Sequence, residues 1–82
     1  MTEEEKDRER VLGIVKDLQA ATENKNLKDA QTAFANTIAM MCLSLGQERA
    51  DDIFLATQAM ILEVYLAIRG RVREGKPAEV MN

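Results

Sequence analysis

Residues 48 to 73 read as one helix with two apolar stripes, which doubles the number of faces that this helix must cover. At about 100° per residue, Ala50, Ile53, Phe54, Met60, Ile61, Val64, Ile68 and Val72 share one broad face. Leu55, Ala59, Leu62 and Leu66 share another, edged by Asp52, Gln58, Glu63 and Arg69. A peripheral helix of a small domain needs a single buried stripe. The second stripe therefore implies either a helix enclosed by the fold or one whose second face meets a partner.

Size sharpens that choice. A chain of 82 residues makes one domain. A core that small rarely yields more than roughly 3–5 kcal/mol of net stability, so such domains add disulfides, metal or association. Cys42 is the sole cysteine and histidine is absent, which removes an internal disulfide and a Cys/His zinc site. Association remains. Apolar residues make up 46% of the chain but aromatic ones only 4%, a mixture that favours helix packing over sheet. The net charge of -3 gives no global attraction to nucleic acid or anionic membrane. Met1-Thr2-Glu3-Glu4-Glu5 is acidic where a secretory signal would be basic. The apolar stretch from Ile53 to Ile68 is interrupted by Thr57, Gln58 and Glu63 and is shorter than the ~20 residues of a bilayer span. A reduced, cytoplasmic setting without membrane contact is expected.

Three helices follow along the chain. The first runs from about Glu3 to Glu23, capped by Thr2 with Glu5 three residues on, and carries one stripe of Val11, Ile14, Val15, Leu18 and Ala21. Asn24-Lys25-Asn26 breaks the pattern, and Asn26 caps a second helix from about Leu27 to Leu45. Its main stripe is Leu27, Ala30, Phe34, Ile38, Met41 and Leu45, with Cys42 beside it. Its C-terminal half is also apolar on the opposite side, through Ala39, Met40 and Leu43. Gly46 ends it. The third helix begins near Gln47 or Glu48 and ends between Gly70 and Gly75. The expected fold is all-α: a three-helix up-down-up bundle over residues 1–75, with 76–82 a flexible tail behind Pro77. Two or four chains would associate into a larger helical bundle.

Few residues suggest chemistry. Cys42 lies among Met41, Leu43 and Leu45 with no base in the chain, so it reads as a small buried hydrophobe. Glu48, Asp51 and Asp52 would hold Mg²⁺ only with a second acidic pair on a facing helix, as in all-helical nucleotide pyrophosphohydrolases; no clear second pair exists, and helix-dipole compensation accounts for the cluster. Arg69, Arg71, Arg73 and Lys76 form the one dense basic segment, a contact for an anion or a partner. Only Arg69 and Arg73 share a helix face, and no aromatic residue interleaves to stack bases. Dipole compensation accounts for this segment too.

The expected function is therefore that of a small non-enzymatic interaction or regulatory protein: an adaptor, inhibitor or assembly factor. It needs no cofactor or metal. Its partners are itself and another protein. The self-association surface is Leu55, Ala59, Leu62 and Leu66, assisted by Met40 and Leu43, with Glu63 and Arg69 bridging subunits. Two other readings are a nucleic-acid-binding dimer using the arginine cluster and a Mg²⁺-dependent helical nucleotide hydrolase.

Overall fold

The helix ends are set by short local signals. In the computed structural model, which describes residues 2–80, α1 covers Glu3–Thr22, α2 Leu27–Ser44 and α3 Ala50–Arg73. No strand occurs among the described residues, so the fold is all-α. The Thr2 hydroxyl accepts the Glu5 amide at 3.1 Å and starts α1. Asn26 accepts the amides of Lys28 at 2.8 Å and Asp29 at 3.2 Å and starts α2. A cap of this kind contributes about 1 kcal/mol. The end of α3 is a Schellman turn: Gly75 takes a φ of 80°, its amide donates to the Val72 carbonyl at 3.0 Å, and the Lys76 amide donates to the Arg71 carbonyl at 3.0 Å.

One boundary departs from the sequence expectation. Gly46 leaves α2 with a φ of 120°, and the chain then makes a tight turn before it re-enters a helix. Arg49 donates to the Gly46 carbonyl at 3.1 Å and Ala50 to that of Gln47 at 3.4 Å. The first four-residue helical bond of α3 runs from the Ile53 amide to Arg49. Glu48 therefore precedes α3 instead of sitting in its first turn.

Packing divides the chain into two compact units, Met1–Glu23 with Glu63–Asn82, and Asn24–Leu62. In the first, Leu12 and Val15 of α1 and Val64 and Ile68 of α3 line one open groove of about 530 Å³. Leu12 and Val15 are half-buried, while Val11, Ile14 and Leu18 stay exposed. The strip of α1 that packs keeps Val15, and Val11 at its edge, from the expected stripe and adds Leu12, because the apolar arc of α1 is wider than the contact. The chain after α3 returns along this groove: Ala78, Glu79 and Val80 line it. Glu79 lies 3.5 Å from Arg8 and 3.3 Å from Arg71, whose Nε also donates to the Pro77 carbonyl at 3.3 Å. Met81 and Asn82, the end of the expected tail, lie outside the described residues.

In the second unit the two most buried residues are Cys42 on α2 and Ala50 on α3, each 5% exposed. They share a small depression of about 160 Å³ with Ala39, Leu43, Asp51 and Phe54. The covered strip of α2 runs Ala30, Ile38 and Cys42, with Phe34 at its edge. Leu27, Met41 and Leu45, expected on the main stripe, are exposed instead. On α3 the covered positions are Ala50, Ile53 and Thr57. Thr57 satisfies its hydroxyl by donating to the Ile53 carbonyl at 2.8 Å, so a polar residue occupies part of an apolar seam at little cost.

Candidate interaction surface

Small residues, Cys42 and Ala50, are the most deeply buried on α2 and the start of α3, and most of the larger apolar side chains apart from Ile38 and Ile53 are left exposed. Among the described residues, seventeen large apolar side chains remain exposed. Leu55 is 62% exposed and Leu62 57%; Leu66 and Ala59 are exposed on the same face of α3. These four lie within an arc of about 60°. The three leucines of the stripe keep between 44% and 62% of their surface open to solvent. On α2, Met40 is 69% exposed, and Leu43 is also exposed. Both belong to the same unit as Leu55, Ala59 and Leu62.

The charged residues at the rim fall into different environments. Glu63 is exposed beside the stripe. Arg69 is half-buried, with its guanidinium carbon 5.5 Å from the centre of the Tyr65 ring. A cation over an aromatic face at that distance is attracted to it by roughly 0.5–1 kcal/mol. Arg71 is engaged by Glu79 and the Pro77 carbonyl, and Lys76 lies 3.1 Å from Glu74. Arg73 is exposed at the last position of α3. The four basic residues therefore do not converge on one open surface, and two of them already face carboxylates.

Of the acidic cluster, Asp51 and Asp52 occupy the first turn of α3, and Glu48 sits in the preceding turn. Among the described residues no group of three or more His, Cys, Asp or Glu side chains is placed to hold a metal ion. Cys42 is a free, buried thiol. Among the described residues, every buried side-chain nitrogen or oxygen has a hydrogen-bond partner.

The stripe of α3 was legible in the sequence from its four-three-four spacing. The stack of Arg69 on Tyr65 was missed, although the four-residue separation of the pair carries the signal. Helix α3 is also long and apolar enough, by length and composition, to cross a membrane: 24 residues with a mean hydropathy of 1.4 over its most apolar stretch. No protein-family model, curated protein or solved structure matches the chain.

Proposed function

We propose that this chain is a small, non-enzymatic interaction protein that works as a homo-oligomer. Three helices in up-down-up order would present the α3 stripe, with the apolar half of α2, to a second copy. The observation that carries this reading is exposed apolar surface on single helices: on α3 Leu55 is 62% exposed, Leu62 57% and Leu66 44%, and on α2 Met40 is 69% exposed and Leu43 57%. Contiguous exposed apolar side chains of this size on a small domain mark an interaction surface.

The competing partners fit less well. A nucleic acid would need a convergent basic face, and Arg71 and Lys76 already face carboxylates. A bilayer would receive Glu63 near the middle of α3, where a charged side chain costs about 2.5–3.5 kcal/mol. In a helical dimer Glu63 keeps its water at the edge of the seam. A cytoplasmic adaptor, inhibitor or assembly factor remains the class that suits an acidic helical dimer with a free outer surface for another protein.

Mass action supplies the test. A chain whose folded form is stabilised by a second copy melts at a temperature that rises with concentration. Thermal unfolding followed by circular dichroism from about 1 to 100 μM is expected to show a midpoint climbing by several degrees. A midpoint independent of concentration would count against the proposal.

A further inference from the structure

The stripe of α3 continues in both directions at the same spacing, and what continues it is charged. Asp52 lies three residues before Leu55, and Arg69 three residues after Leu66. Positions 52, 55, 59, 62, 66 and 69 thus alternate steps of three and four along one uninterrupted helix. That alternation is the seven-residue repeat of a two-stranded helical seam, with an acid at one end and a base at the other.

We infer that two copies pair through α3 in antiparallel orientation, about a twofold axis between residues 60 and 61. This rests on the self-association reading above and adds the direction and register of the helices. In an antiparallel seam, residues whose numbers sum to a constant share a layer. With that constant at 121, Leu55 meets Leu66 of the second copy and Ala59 meets Leu62. Asp52 meets Arg69 of the second copy, twice by symmetry. The parallel arrangement does the opposite. It sets Asp52 against Asp52, Arg69 against Arg69 and Arg73 against Arg73. Like charges facing one another are unfavourable, whereas the antiparallel register leaves none in its layers.

The structure supports the participants individually. The apolar members of the stripe are exposed, and Asp52 is exposed in the first turn of α3. Arg69 is half-buried with its guanidinium 5.5 Å from the Tyr65 ring centre, so less side-chain freedom is lost when it pairs. In this register Arg69 of the second copy lies opposite Asp52, eleven residues or about three turns from Glu63, so the proposed pairing replaces the Glu63–Arg69 bridge expected from the sequence with Asp52–Arg69.

Charge reversal tests the register. Asp52→Arg and Arg69→Asp are each expected to raise the dimer dissociation constant about tenfold or more, since two attractive pairs become repulsive. The double variant Asp52→Arg/Arg69→Asp is expected to return close to the wild-type value. Each single reversal also opposes the helix dipole, and the double variant carries both of those penalties, so its recovery would report pairing and not helix stability. Single reversals without effect, or a double variant as weak as the singles, would overturn the antiparallel register while leaving self-association standing. A wild-type chain monomeric at every concentration would overturn both. An independent distance comes from nitroxide labels on Asp52→Cys in a Cys42→Ala background. Seventeen residues of helix place the two labels roughly 25–30 Å apart if antiparallel and about 10 Å apart if parallel.

Discussion

Leu62→Glu is expected to convert the oligomer into monomers at concentrations where the native chain is associated. Leu62 is 57% exposed within its own chain, so the substitution leaves no cavity there, and glutamate is a good helix former. The damage falls on the assembly. At the centre of an α3 seam, each new carboxylate would be desolvated without a partner, at a cost of at least about 2 kcal/mol. A twofold interface contains the substitution twice, so the dissociation constant is expected to rise about a thousandfold. The released chain buries little apolar surface, and its melting temperature should fall with its mass. Leu27→Glu is the control: Leu27 is as apolar and more exposed, but lies at the start of α2, away from the stripe. It should change neither quantity. Unchanged mass and helicity in Leu62→Glu would show that the stripe is not an interface.

The second large effect is expected at Cys42. With Ala50 it is one of the two most buried residues described, and the depression it shares with Ala39 and Phe54 is lined by no cation, only by Asp51, which would repel a new carboxylate. Cys42→Asp would bury an unpartnered charge at a cost of several kcal/mol, comparable with the whole net stability of a chain this size. Circular dichroism at 222 nm should show a largely unfolded chain at 25 °C. Cys42→Ala removes one sulfur atom and should cost only about 1–2 kcal/mol by urea unfolding. Wild-type helicity in the aspartate variant would mean that water reaches position 42, and the placement of the second unit's core would be wrong.

How much of this was legible in the sequence follows from which signals are local. Thr2, Asn26 and Gly46 mark helix ends because a cap or a positive φ is decided within three or four residues, and α1 and α2 end within one residue of expectation. The start of α3 was misplaced because Gln47, Glu48 and Arg49 carry no breaker; their turn is forced by the chain's exit through Gly46. The packed strips of α1 and α2 were legible only in part, Val15 on α1 and Ala30, Ile38 and Cys42 on α2, for another reason. Periodicity reveals an apolar arc, but Leu12, Val15 and Leu18 all lie on one broad arc. Only the position of α3 decides that Leu12 packs and Leu18 does not. On α3 the broad arc was similarly overread: Met60, Ile61 and Val72 are exposed, and Thr57 takes a covered place. The members of the second stripe could be named from the sequence because its narrow spacing leaves no choice of edge. Its exposure is supplied by the structure, and its orientation toward a second copy is inferred from charge.

Absolute mass in solution tests self-association most directly. Light scattering on a size-exclusion column, repeated over a hundredfold dilution series, should return twice the chain mass of 9.2 kDa, or a larger multiple, at the upper concentrations. It should shift toward the monomer only on dilution. A mass of one chain at every concentration would contradict the account, and would leave the exposed stripe of α3 to a different partner.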